Sequence, residues 1–296
     1  MRYHLLNDTT TEADNPLMGV DYSVEFDCQP KRHFGNGDYA AGGADILERV
    51  KSRSRAVHVR QFAVENGLNP AETKVKLNYP DAHRNPVEKE VTVAELEQHA
   101  SALDARATAC FDCPMNLFAR EYGCLGWINY PIRQSEEEWL IGKLQPFGTI
   151  GADLCLNFIT EFRISGERIK GMRQSGFLEL QCGREIVLKK SLFKKHSVHT
   201  DQLLEMVLLG GECLQPAHCL GVLLWFGAMH VEGIVPGALE DRATLQRLLA
   251  LKTLTERSEH TGFVFDDEVV PRGSFAMLLR AMYVAWMHDQ PLSMSS

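Results

Sequence analysis

Cys110 and Cys113 have two residues between them in Cys110-Phe111-Asp112-Cys113, and Cys124 follows after ten more, inside Tyr122-Gly123-Cys124-Leu125-Gly126. Two thiolates on one tight turn chelate a single ion, and zinc then asks for two further ligands to complete a tetrahedron. Cys124 supplies the third, because Gly123 and Gly126 free the backbone to turn back toward the first pair. The fourth comes from a distant part of the chain. Cys28, in Phe26-Asp27-Cys28-Gln29-Pro30, is the first choice; His33 is the alternative, since imidazole nitrogen also suits zinc. The expected site is therefore Cys28, Cys110, Cys113 and Cys124 around Zn2+. A closed shell of this kind is structural, because catalytic zinc keeps a position open.

Other chemistries compete for the same residues. An iron–sulfur cluster is the alternative cofactor, although the ferredoxin spacings C-x2-C-x2-C and C-x4-C-x2-C are absent. Ordinary buried cysteines behave as small hydrophobes. Against that reading, three cysteines fall within 15 residues, beside Pro114 and two glycines. A thioredoxin-type pair needs a helix N-terminus to lower its thiol pKa, and Cys110 follows a helix and loop instead. If the metal kept an open position it would activate water in a hydrolase-like enzyme, with Asp27, Asp112 or Glu121 as the base.

Further sets of reactive residues read as structural. His196 and His199, at i, i+3 spacing, would share a helical face, and Cys213, His218 and Cys219 follow. A surface histidine pair and core cysteines account for these. Cys155, Cys182, Cys213 and Cys219 are all expected to be core thiols. His230-Val231-Glu232 matches half of the deaminase H-x-E signature, but no P-C-x-x-C follows it. The loop at 35–43 has Ala40 where a dinucleotide loop needs its third glycine. Two basic stretches, 49–60 and 189–196, lack the interleaved aromatics of a base-stacking platform and read as solvated faces.

These residues need elements to carry them. Alternating apolar residues predict a strand over 20–27, and the Gly-rich 35–43 segment predicts a loop before a helix over 44–54. Strands over 74–79 and 88–93 flank a turn, and Thr92 with Glu95 forms a capping box for a helix to about residue 103. A short strand over 125–130 comes next, then a second capping box at Ser135 and Glu138 with a helix to about 144. Beyond residue 148 the patterns predict a helix over 152–162 and a hairpin over 177–180 and 185–188. Helices over 201–209, 213–229, 244–254 and 274–287 complete the series. The last but two holds the apolar residues Trp225 and Phe226 and reads as core.

The whole is an α+β protein of 296 residues, 45% hydrophobic and 24% charged, with a net charge of −8. That composition excludes a disordered or fibrous chain, and its acidity disfavours phosphate backbones. An α+β domain over 1–147 holds the cysteine cluster, and a mainly helical domain covers 148–296; a single domain with a helical extension is the other division. The start of the chain lacks the features of an export signal, so a reducing, cytoplasmic setting is expected for the eight cysteines. No run is apolar for long enough to span a membrane. No complete nucleophile, phosphate loop or acid–base pair is visible. The expected role is a binding or regulatory module with a protein or small-molecule ligand; nucleic acid and membrane are not expected partners.

Overall fold

Val20, Tyr22 and Val24 alternate with half-buried neighbours and make strand β1 (Gly19–Val24), as the period-two pattern requires. The computed structural model describes residues 19–80, 86–117, 121–145, 148–190, 195–208, 213–234, 242–265 and 274–295. Helices and sheets are mixed, in the α+β class. The chain divides into two compact units, one running from Phe26 to Leu125 and the other joining Gly19–Glu25 to Gly126–Ser296. Residues 146 and 147, where a change of character is expected from sequence, lie outside the described residues.

The first unit begins with helix α1 (Gln29–Phe34) and helix α2 (Tyr39–Glu65). A hairpin of β2 (Lys74–Pro80) and β3 (Pro86–Thr92) follows, then α3 (Val93–Ser101) and α4 (Asp104–Phe111). The hairpin pairs Lys74 with Thr92 and Tyr79 with Val87. Thr92 and Glu95 form the expected capping box, with the Glu95 carboxylate 2.7 Å from the Thr92 N–H. One apolar cluster joins α2, the hairpin and α3: Ala56, Val59, Val75, Leu77, Val91, Val93 and Leu96.

The Gly-rich segment is not the long loop that its composition predicts. The Asp38 carboxylate accepts the N–H groups of Ala40 and Ala41 at 2.9 and 3.2 Å, so α2 starts at Tyr39 and takes in Gly42 and Gly43. The glycines serve packing. A Cβ on Gly42 would lie 1.7 Å from the Lys31 carbonyl oxygen, so α1 presses directly on the α2 backbone.

The second unit is built on a four-stranded sheet in the order β4-β1-β10-β7. Its strands are β4 (Leu125–Asn129), which begins at the division, β1, β10 (Leu292–Ser295) and β7 (Cys213–Leu214). β10 runs antiparallel to both neighbours, with Tyr22 opposite Met294 and Leu214 opposite Leu292. Around it come α5 (Gln134–Gly142), α6 (Thr149–Glu161), α7 (Glu167–Gln174) and the hairpin of β5 (Glu185–Lys190) and β6 (Lys195–His199). Then follow α8 (Thr200–Val207), α9 (Pro216–Trp225), β8 (Met229–Val231), α10 (Arg242–Ala250), α11 (Leu254–His260), β9 (Thr261–Phe263) and α12 (Ser274–Met287). α12 packs on α9, with Phe275, Leu278, Leu279, Val222 and Leu223 fully buried.

Several expected boundaries move. Glu136, rather than Glu138, turns its carboxylate back to the Arg133 N–H at 3.0 Å, so α5 is capped there and not at Ser135. Residues 177–180 form no strand beyond the bridge of Leu178 to Ile132, and β5 pairs onward with β6. The single apolar helix expected over 213–229 is β7, α9 and β8, and 244–254 spans α10 and the start of α11. The short strands β7 to β10 have no counterpart among the expected elements.

Candidate functional site

Cys28 occupies the residue before α1, with extended backbone (φ −134°, ψ 161°), and its carbonyl accepts the Arg32 N–H at 3.0 Å. α1 packs on both α2 and α4, which brings Cys28 toward the C-terminal end of α4. Cys110 is in the last turn of that helix, not in the loop expected there, and Cys113 lies just past it. Asn116 closes this turn: its side-chain amide donates to the Cys110 carbonyl at 2.8 Å and its N–H to the Cys113 carbonyl at 2.9 Å. The C-x2-C pair thus ends a helix, the opposite placement from a thioredoxin-type motif.

Cys124 is delivered by a turn whose left-handed residue is Tyr122 (φ 55°), not one of the flanking glycines. A bulky residue in that region carries a backbone cost of about 1–2 kcal/mol. The Tyr122 hydroxyl offsets it by donating to the Leu103 carbonyl at 2.8 Å, which ties the turn to the start of α4. Three separate segments of the first unit thus carry the three cysteines that the spacing singles out and Cys28, the first choice for the fourth.

The thiols act on one another. Cys113 donates a hydrogen bond to Cys28, which favours the Cys28 thiolate and pulls its pKa below the ordinary 9.0; the Lys31 N–H and the Lys31 ammonium act in the same direction. The same bond, together with burial, raises Cys113, which keeps its proton. Burial raises Cys110, and a charge on Cys28 adds to the rise. Cys124 is pushed up to about 11 by burial; Lys31 opposes that shift, and Cys28 and Cys110 add to it. Backbone N–H groups favour the thiolate at each of the four: that of Lys31 at Cys28, of Tyr122 at Cys110, of Met115 at Cys113 and its own at Cys124. As the side chains stand, no group of three or more His, Cys, Asp or Glu among the described residues is closed around a point that could hold a metal ion.

His33 stands apart from this group. Its ring meets Phe34 edge-on, and its Nδ1 lies 3.3 Å from the Arg106 guanidinium. The three carboxylates named as possible bases are placed for other work. Asp27 is paired with Arg32 through both oxygens, one at 2.6 Å, and Glu121 meets Arg53 at 3.2 Å. Asp112 is exposed at the end of α4.

The remaining candidates come apart. His196 and His199 lie on strand β6, not on a helix, so the shared helical face does not exist. His199 instead precedes α8, and its Nδ1 accepts the Asp201 N–H at 3.3 Å. Cys155 and Cys219 are buried as expected, but Cys182 and Cys213 are exposed: they fall in a turn region and on the two-residue strand β7. Glu232 pairs with His260 at 2.9 Å. The basic stretch 49–60 is neutralised within its own unit. Arg49 meets Asp45 (2.7 Å), Lys51 meets Glu48 (2.8 Å), Arg53 meets Asp104 (2.5 Å) and Arg60 meets Glu97. For the stretch 189–196, residues 191–194 lie outside the described residues.

Sequence reasoning missed Lys31. It is only 2% exposed, yet it lies in Pro30-Lys31-Arg32-His33, which reads as surface. Among the described residues no helix is long and apolar enough to cross a membrane. No family model, curated protein or solved structure matches this chain.

Proposed function

We propose that Cys28, Cys110, Cys113 and Cys124 hold one Zn2+ as a structural centre of the first unit, in a cytoplasmic protein that works as a binding or regulatory module. The observation that supports this reading is that four cysteines from three chain segments act on one another, with backbone N–H groups favouring the thiolate at each. Such donors stabilise thiolates and orient metal ligands. Four sulfurs bound to zinc at about 2.3 Å lie roughly 3.8 Å from one another, so the reading requires the side chains to rotate from their described arrangement into a closed one. With four thiolates the shell has no open position, and Asp27 and Glu121 are engaged with arginines. A hydrolytic metal site therefore has less to support it. The reducing setting is part of the proposal, because thiolate ligands must escape oxidation.

Elemental analysis of the purified full chain tests it. The expected result is close to one zinc per chain, lost or sharply reduced in Cys110→Ser and Cys28→Ser and retained in His33→Ala. A folded, metal-free protein overturns the reading, as does a Cys110→Ser protein with unchanged metal content and melting temperature. Iron with visible absorption would replace zinc by a cysteine-ligated cluster.

A further inference from the structure

His230-Val231-Glu232, which no P-C-x-x-C completes, covers the end of β8 and the residue after it. Met229 and Val231 are buried there, whereas His230 and Glu232 are exposed, so the imidazole and the carboxylate share the outer face of the strand. The neighbouring chain adds a third group to that face. The register sets His230 opposite Gly262 and Val231 opposite Thr261, and the Glu232 N–H donates to the His260 carbonyl at 2.8 Å, so His260 stands opposite Glu232. Thr261 turns the other way, to the Tyr283 hydroxyl at 3.2 Å. Nothing lies within 4 Å of where a Cβ on Gly262 would stand, which leaves the space beside His230 open.

The His260 Nδ1 is 2.9 Å from the Glu232 Oε2. Nitrogen and oxygen ligands about 2.0–2.2 Å from one ion, at roughly 90–110° to each other, are about 3 Å apart, so this pair already has the separation of two ligands. Residues two apart on a strand are about 6.6 Å apart, a span that two side chains bridge by meeting at one ion. As the side chains stand, no three such groups among the described residues are closed around a point, so the exposed His230 ring has to lean along the strand toward the pair. We infer that His230, Glu232 and His260 form a Zn2+ site on the second unit, two imidazoles and one carboxylate with the outward position left to water. That ligand set is the one zinc uses in open centres, in contrast to the closed four-cysteine shell.

Titrating the reduced full chain with Co2+, a visible stand-in for Zn2+, tests it, because thiolate ligands give sulfur-to-cobalt charge-transfer absorption and imidazole and carboxylate ligands do not. The expected result is one equivalent of Co2+ bound without that absorption and displaced by Zn2+. Removing a group that only supports a ligand costs about 10–100-fold in affinity, so losing a ligand itself, in His230→Ala or His260→Ala, should weaken this equivalent more than about 100-fold. Glu232→Gln should weaken it as well. All three positions are exposed, so the metal-free melting temperature of each variant should match that of the wild type, which separates loss of the site from loss of the fold. Absence of a thiolate-free equivalent overturns the inference, and so does one that survives His230→Ala. The cysteine centre shares no residue with this site, so its failure to load metal would leave the thiolate-free equivalent in place.

Discussion

Replacing Gly42 by alanine should destabilise the first unit, although alanine is the better helix former. In a free helix the exchange favours alanine by about 1 kcal/mol. Here the added Cβ would meet the Lys31 carbonyl oxygen at 1.7 Å, the Lys31 carbonyl carbon at 2.6 Å and the Gly35 nitrogen at 2.8 Å, all of them backbone atoms. No side-chain rotation relieves such contacts, so α1 must move off α2 by more than an ångström. Overpacking costs typically 1–3 kcal/mol, and a backbone clash belongs at the top of that range or beyond it. The net loss is then about 2 kcal/mol, which for a unit of this size lowers Tm by roughly 8–16 °C. The same displacement carries Cys28 away from Cys113, so zinc content should fall in parallel. Gly171→Ala in α7 is the control, because nothing lies within 4 Å of its added Cβ; it should be neutral or mildly stabilising. Urea unfolding and elemental analysis read both effects. A Gly42→Ala protein at least as stable as wild type would refute the close approach of α1 and α2.

Arg173 is 3% exposed and binds Glu137 at 2.6 Å and Asp201 at 2.8 Å, so Arg173→Met leaves two buried carboxylates without their cation. The expected cost is about 3–5 kcal/mol in the second unit; a chemical denaturation midpoint that does not move contradicts it. Glu95 is held below its ordinary 4.5 by the Thr92 N–H and hydroxyl. The stability contributed by its charge is therefore full above the unfolded value and is lost as pH falls through the lower folded one. Glu95→Gln should flatten the acid limb of the stability profile, and Thr92→Ala should cost about 1 kcal/mol at neutral pH. Cys182 and Cys213 are exposed while Cys155 and Cys219 are buried, so brief alkylation of the native protein should mark the first two and spare the second two in peptide mass maps.

The sequence spells out the C-x2-C pair because its placement is local: two thiols at one helix end need only short spacing, and C-x2-C records it. The capping box at Thr92 and the helix over 274–287 are visible for the same reason, since each depends on residues within a few positions of one another. Lys31 is not visible. Its neighbours are charged, and only the packing of α1 against α2 and α4 puts it inside. The start of α2 is hidden in a different way. Glycines argue locally against helix, whereas the approach of the Lys31 carbonyl demands a residue without a side chain. The central sheet is the least legible part. β10 and β7 are four and two residues long, and β1 finds its partner at the far end of the chain. No periodicity in a short segment announces a partner so distant. Arg173, Glu137 and Asp201 likewise read as surface charges until the fold brings them together.

The proposed centre would join segments that lie outside the α2, hairpin and α3 cluster. One hydrophobic cluster of the first unit draws on α2, β2, β3 and α3; α4 buries Ala107 and Cys110, with Leu103 and Met115 buried on either side of it in sequence. α1 is six residues long, far below the length at which a helix persists on its own in water. Its charged sequence offers little to bury beyond Pro30 and the stem of Lys31. Close backbone packing on Gly42 of α2 holds it, and the proposed centre would add to that hold. Structural zinc sites contribute about 10–16 kcal/mol in small domains, on the scale of the whole stability of an ordinary domain at about 5–15 kcal/mol. One ion bound by Cys28 on the approach to α1, Cys110 and Cys113 at the end of α4, and Cys124 beyond the Tyr122 turn would fasten all three segments at once. The second unit has a different need. Its helices α9 and α12 bury aromatic and aliphatic residues against each other, and a satisfied ionic triad sits in its interior. There the cysteines are either plain core residues, as Cys155 and Cys219 are, or exposed, as Cys182 and Cys213 are. Eight cysteines thus divide by what surrounds them, and the four in the first unit are the ones that act on one another.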